Sequence, residues 1–262
     1  HGTPDSRLAR HPDPAIVASL GIHLVAIDRP GFGHTTADPT ATPTSFATDL
    51  TALLDHLEVT SAHLLAWSAG TIWALGVAAA APERVRSVTA VGGLAPFEAF
   101  ADPTVREGAG DARVGMIETA EELGATIAAE MIAPLLVPDP ATPQAALEHR
   151  NEVGDTALSA VPGADAQMAA AICDAVRAGP AGLVRDVTVQ LGPSGVDLGA
   201  IDVPVRFVTG VDDAVCPPAF AHWYAAQIPG ARAEIVSDAG HGLLLTHWRD
   251  LLTEVIRPTR NL

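Results

Sequence analysis

Short apolar runs alternate with segments of helical spacing over residues 21–91, and this rhythm constrains the fold more than any other feature. Apolar runs at 21–31, Ala62–Trp67 and Val85–Val91 predict buried strands, the first ending near Asp28. Between them, apolar periodicity predicts helices over 44–58 and 71–81. Strands that alternate with helices predict an α/β protein, a mostly parallel sheet with helices on both faces.

The same rhythm returns near the carboxyl terminus, with strands predicted over 203–209 and 232–236 and helices over 219–227 and 243–256. The strand signal disappears over 97–198, where the periodicity is helical. We therefore predict a core formed by residues 1–96 and 199–262 and an inserted helical cap at 97–198. Because no strand precedes His1, we expect the leading strands of the sheet to lie upstream of it.

The charge and composition exclude several classes of function. The 262 residues carry a formal net charge of −16, which disfavours nucleic acid and an anionic membrane surface as partners. Every basic residue is Arg, which excludes chemistry that needs a lysine Schiff base. No apolar run is long enough to predict a membrane span. We expect a small-molecule substrate as the partner, and the oligomeric state stays open.

Two cysteines, Cys173 and Cys216, are far apart and form no Cys-x-x-Cys pair. No histidine cluster has the spacing of metal ligands, so we expect neither a metal nor an organic cofactor. Unpaired thiols favour a reducing compartment, and we predict a cytoplasmic protein.

Ser68 stands between two small residues where the predicted strand Ala62–Trp67 gives way to a helix, in the sequence "LLAWSAGT". A sharp strand-to-helix turn brings two backbones close together and projects its central side chain outward. The pattern small-x-Ser-x-Gly in that context predicts a nucleophile. Ala69 heads the helix, so its N–H would face developing negative charge.

A nucleophilic serine needs a base, and the base needs an orienting carboxylate. His241 lies between two glycines in "SDAGHGLLL", directly after the last predicted strand. Asp212 and Asp213 follow the preceding strand in "VTGVDDAVCPP". All these residues follow carboxyl ends of predicted strands, where open α/β sheets bind ligands.

These motifs resemble the α/β-hydrolase family, in its helical-capped serine hydrolase branch. "HGTP" resembles an oxyanion loop, "DRPGFGHT" the segment after the next strand, "AWSAG" the nucleophile turn, and "GVDDAVCPP" with "AGHG" the acid and base loops. The resemblance implies Asp213 as the acid, although Asp212 and Glu98 remain alternatives. It also implies Thr3 as a second backbone donor to the oxyanion, beside Ala69.

This resemblance implies a carboxylesterase-like enzyme of class EC 3.1.1, acting through an acyl-enzyme on a small or medium apolar ester, thioester, lactone or amide. A proline-releasing aminopeptidase and a non-hydrolytic ligand-binding protein are the alternatives. Trp67 and His34 are candidates for substrate contact, with core packing and an exposed loop as the ordinary alternatives for each.

Overall fold

The computed structural model describes residues 1–139, 141–152 and 156–257. Its described residues form one parallel sheet with the strand order β1-β2-β3-β4. The strands are β1 (Ala62–Trp67), β2 (Val85–Val91), β3 (Val205–Gly210) and β4 (Arg232–Val236). The predicted α/β class and these four predicted strands are confirmed.

Helices connect and cover the strands. Those of the core are α1 (Ala15–Ser19), α2 (Phe46–His56), α3 (Gly70–Ala80), α9 (Pro218–Gln227), α10 (Leu243–Thr246) and α11 (Trp248–Val255). Those of the predicted cap are α4 (Pro103–Leu123), α5 (Ala125–Ile132), α6 (Pro143–Glu152), α7 (Ala164–Ala175) and α8 (Ala181–Gln190). None of the described helices is long and apolar enough to span a bilayer.

The register of the sheet brings the carboxyl ends of its strands to one edge. Trp67 pairs with Val91, Val91 with Val208, and Gly210 with Val236. The loops that carry the predicted nucleophile, acid and base leave the sheet from these positions, so parallel pairing alone gathers them.

Helix α3 occupies the centre of the core, because nearly every side chain on it is apolar. Leu75 and Ala78 are fully buried, and Trp73 is 3% exposed. These side chains pack with Val88 and Ala90 of β2 and with Phe207 of β3. A helix that is apolar all round is stable only when other elements cover it. The buried position of α3 in turn fixes the direction in which the chain leaves the Ser68 turn.

The prediction of a strand over 21–31 is wrong for the described structure, since residues 22–29 pair with no strand. A cavity of about 620 Å³ is lined by Leu24 and Ile27 of this segment and by Leu64 of β1. The expected burial is also absent over most of the segment, because residues 21–28 are exposed or half-buried and Val25 is 43% exposed. A strand also needs a neighbouring backbone for its hydrogen bonds, and residues 22–29 have no such paired strand among the described residues.

The predicted helix over 243–256 is interrupted at His247, whose φ of −115° and ψ of 21° are not helical. Leu243 on α10 and Trp248 on α11, which flank the break, are both buried. Over 97–198 the described residues contain helices and no strand, whereas residues 140 and 153–155 of that range lie outside the described ones. The exact limits of the cap stay a prediction.

Candidate active site

Ser68 adopts a backbone conformation that is rare for any residue except glycine. It joins β1 to α3 with a φ of +54°. Its N–H donates to the Val91 carbonyl at 3.0 Å, and its own carbonyl accepts from the Leu94 N–H at 3.1 Å. Such a conformation costs on the order of 1–3 kcal/mol and persists only where surrounding bonds hold it, so the turn that presents this hydroxyl is strained.

The close packing at Gly70 explains why a small residue follows the Ser68 turn. A Cβ on Gly70 would lie 2.5 Å from the His1 carbonyl oxygen, so any larger residue would push away the loop at residues 1–3. Ala69 precedes the first residue of α3. The loop at residues 1–3 therefore packs directly on the start of the helix that follows Ser68, and the role of Thr3 and Ala69 as oxyanion donors stays a prediction.

His241 is hydrogen-bonded to Asp213. Its Nδ1 lies 2.9 Å from Oδ2 and 3.1 Å from Oδ1 of the carboxylate, which is 2% exposed. Oδ1 also accepts from the backbone N–H groups of Val215 at 3.0 Å and Cys216 at 2.7 Å. These bonds fix the buried carboxylate in a position where it can orient the ring and stabilise its protonated form.

Two glycines allow the acid and base loops to meet. A Cβ on Gly210, at the end of β3, would lie 2.0 Å from the Ala239 carbonyl oxygen. Gly92 follows β2 with a φ of +50°, and a Cβ there would lie 3.0 Å from Asp213 Oδ2 and 3.1 Å from His241 Nδ1. Neither position has room for a side chain.

Trp67 joins the base loop to the nucleophile turn. Its indole Nε1 donates to the His241 carbonyl at 3.1 Å, and its ring stacks on the imidazole with centroids 5.5 Å apart. The indole is 6% exposed, which leaves little of it for a substrate to contact. The residue next to Ser68 thus positions the backbone of His241.

The environment of His241 changes its pKa. Burial lowers the pKa, but the Cys216 thiol and the Asp213 carboxylate beside the ring raise it, and the pKa lies well above its ordinary value of 6.5. Burial also raises the pKa of the Cys216 thiol. A base with a raised pKa accepts a proton readily but must be deprotonated before it can act.

The structure separates Asp213 from the two alternative acids. Asp212 is exposed, and Glu98 accepts from the hydroxyl and the N–H of Ser194. His34 is also exposed, and its ring contacts the Arg177 guanidinium. A role for His34 in substrate contact stays a prediction.

Sequence reasoning missed Asp5, which lies beside the nucleophile turn. A Cβ on Gly2 would lie 2.9 Å from Asp5 Oδ2 and 3.3 Å from Ser68 Cβ. Asp5 is 6% exposed, and among the described residues its Oδ1 has no hydrogen-bond partner. Burial raises its pKa to about 7, against the opposing effects of Arg29 and His241. The only signal in the sequence is an acidic residue in an otherwise small and polar loop.

It also missed a buried ion pair between Arg29 and Asp186, joined at 2.8 Å. Arg29 stands in the quoted "DRPGFGHT" segment, and Asp186 is the lone acidic residue of α8, "AGLVRDVTVQ". The signal available in the sequence was a single aspartate in the segment "AGLVRDVTVQ". Its partner lies 157 residues away, so nothing in the sequence indicated the pair.

A parallel sheet with a strained serine turn and a buried Asp–His pair at its carboxyl edge defines the class of α/β-hydrolases. The sequence profile of the alpha/beta hydrolase fold family matches residues 1–247, and the chain belongs to that family. The predicted family, fold and enzyme class are confirmed.

The similar proteins are esterases. A pimeloyl-[acyl-carrier protein] methyl ester esterase of Neisseria meningitidis serogroup C is 25% identical over 224 residues, covering 85% of this chain and 77% of that protein. An esterase of the same name from Aromatoleum aromaticum is 39% identical over 57 residues, covering 21% of this chain and 23% of its own.

Solved structures share the fold. An alpha/beta hydrolase fold protein from Nakamurella multipartita has a TM-score of 0.65 at 22% identity, covering 98% of this chain and 90% of that one. A thermophilic esterase from Thermogutta terrifontis has a TM-score of 0.60 at 21% identity, covering 97% and 88%.

Proposed function

We propose that this protein is a serine esterase whose catalytic triad is Ser68, His241 and Asp213. The observation that carries the proposal is the hydrogen bond from His241 Nδ1 to the buried Asp213 carboxylate at 2.9 Å, in a loop tied to the Ser68 turn by Trp67. This bond leaves Nε2 as the nitrogen that accepts a proton, which is the tautomer that acyl transfer needs.

In the proposed reaction, the Ser68 oxygen attacks the ester carbonyl carbon while His241 Nε2 takes the hydroxyl proton. The backbone N–H groups of Thr3 and Ala69 stabilise the oxyanion. His241 then returns the proton to the departing alcohol, which leaves an acyl group on Ser68. Water then attacks that acyl group and gives a proton to His241, which passes it to the Ser68 oxygen as the bond to the acyl group breaks and the free acid is released.

The substrate we propose is the ester of a small alcohol with a small or medium, mostly apolar acyl chain. The similar proteins are named for a methyl ester, and a methoxy leaving group demands little room beside the nucleophile. A net charge of −16 disfavours a strongly anionic substrate.

A panel of p-nitrophenyl esters and acyl methyl esters, with proline p-nitroanilide for comparison, tests this assignment. We expect turnover of short esters and at least about 10⁴-fold less in Ser68→Ala. Turnover of the anilide alone would favour the aminopeptidase alternative. Folded protein that turns over none of these compounds would contradict the proposal.

A further inference from the structure

Asp186 is a fully buried carboxylate on the helix α8 of the predicted cap. Its Oδ2 lies 2.8 Å from Nη2 of Arg29, whose side chain is 3% exposed. Taking two charges out of water is costly, and removing one partner would leave the other uncompensated. Both side chains are nevertheless enclosed by the protein, so each depends on the other to compensate its charge.

Arg29 binds the loop that contains Thr3 at several points. Its guanidinium donates to the His1 carbonyl, to the Gly2 carbonyl at 3.2 Å and to the Thr3 hydroxyl at 3.0 Å. Its backbone N–H lies 3.2 Å from Nε2 of His1. One side chain thus holds three consecutive residues, the last of which is the proposed oxyanion donor.

The Asp186 carboxylate makes the second set of contacts. Oδ2 accepts directly from the Thr3 hydroxyl, and Oδ1 accepts from Nε1 of Trp73 at 2.6 Å. Trp73 lies on α3, the helix that begins just after Ser68. A single carboxylate therefore joins the cap helix, the loop of residues 1–3 and the helix of the nucleophile.

Close backbone packing holds α8 in that place. A Cβ on Gly182 would lie 2.4 Å from the Gly31 carbonyl carbon, and one on Gly31 would lie 2.6 Å from the Gly182 Cα. The first turn of α8 is thus seated on the loop just after Arg29, with no space for a side chain at either position.

We propose that Asp186 and Arg29 are positioning residues that fix the Thr3 N–H for the oxyanion, so that seating of helix α8 on the core completes the oxyanion hole. The inference rests on the proposed esterase function. Charge-assisted hydrogen bonds to the loop make the position of this donor depend on the cap rather than on the loop alone.

Asp186→Asn tests the proposal, because it keeps the shape and the Trp73 contact but removes the charge that pairs with Arg29. Removing one oxyanion donor outright costs about 100- to 1000-fold in rate, so displacement of Thr3 should lower kcat about 10- to 100-fold. KM for p-nitrophenyl butyrate should change much less. Affinity for a trifluoromethyl ketone, which forms a tetrahedral oxyanion on the serine, should fall in parallel with kcat.

Asp174→Asn is the matched control. Asp174 on α7 also bridges the predicted cap and the core, through an ion pair with Arg7 at 2.6 Å, but Arg7 lies outside the loop of residues 1–3. Its kcat should stay within about twofold of the parent. Thr3→Val is a milder second variant, since it removes only the hydroxyl bonds and keeps the backbone donor, and it remains informative if Asp186→Asn fails to fold.

The outcomes separate this inference from the proposed function. If the parent protein hydrolyses esters but folded Asp186→Asn, or Thr3→Val in its place, keeps full kcat and ketone affinity, the positioning role is refuted and the esterase assignment stands. An equal loss in Asp174→Asn would also refute it, because any weakened cap contact would then suffice. A parent protein without esterase activity would refute the proposed function itself.

Discussion

In the proposed mechanism, the protonation of the His241 imidazole sets the pH range in which the site can work. The pKa of His241 lies above its ordinary value of 6.5, and only the neutral ring can accept the proton of Ser68. We therefore expect kcat/KM to fall as the pH drops through that raised pKa, and to reach its plateau on the alkaline side of it.

Asp213→Asn should lower kcat about 10⁴-fold and move the acid limb of the kcat/KM profile to lower pH, since the carboxylate that stabilises the protonated ring is gone. Asp212→Asn is the matched control, because the neighbouring carboxylate is exposed and should leave both the rate and the profile unchanged. Steady-state profiles between pH 5 and 9 measure both variants. An equal effect of the two substitutions would show that Asp213 is not the acid.

Asp5 should make the protein less stable as the pH rises. Its pKa is about 7 in the folded protein and 3.8 when unperturbed, so the folded state retains a proton that the unfolded state releases between these values. The resulting penalty is absent below pH 3.8, grows through that window and is fully present above about pH 7. At one pKa unit per 1.36 kcal/mol it amounts to about 4 kcal/mol.

Asp5→Asn should remove this pH dependence and raise the free energy of unfolding at pH 8 relative to the parent protein. Urea unfolding at pH 5 and pH 8 measures it, with exposed Asp202→Asn as the control for loss of a surface carboxylate. A parent and an Asp5→Asn variant whose stabilities change in parallel with pH would contradict a raised pKa at this residue.

At the scale of elements, apolar periodicity predicted the four strands, each of which pairs with a parallel neighbour. It was wrong over 21–31, where residues 22–29 pair with no strand among the described residues. It also missed the break at His247, whose backbone angles are not helical. The order of Ser68, Asp213 and His241 was readable because each follows a strand. The Arg29–Asp186 pair was not readable from the sequence, since only the packing of α8 on the core brings the two residues together.

Gly182→Ala tests how tightly helix α8 is seated. The added methyl group would lie 2.4 Å from the backbone of Gly31, so the helix must shift and the melting temperature should fall by several degrees. Gly115→Ala is the matched control within a helix. A Cβ there would contact nothing within 4 Å, so it should be neutral or stabilise by up to about 1 kcal/mol. Equal melting temperatures for the two variants would contradict tight packing of α8 on the loop.

For the whole molecule, the net charge of −16 should discriminate between substrates by charge. We expect p-nitrophenyl valerate to be hydrolysed with a higher kcat/KM than the mono-p-nitrophenyl ester of glutaric acid, by about tenfold at low salt. The difference should shrink as salt rises, because the Debye length falls to about 10 Å at 0.1 M. A ratio that does not respond to salt would assign the discrimination to local contacts instead of the overall field.

We propose that loops from separate strands meet so that the Ser68 hydroxyl becomes a nucleophile, and covalent labelling tests this proposal most directly. The protein is treated with a fluorophosphonate and analysed by intact mass and peptide mapping. We predict a single adduct per chain, located on Ser68 and formed much more slowly in Asp213→Asn. Protein that hydrolyses esters while Ser68 stays unmodified, or that carries its adduct on another residue, would contradict the account.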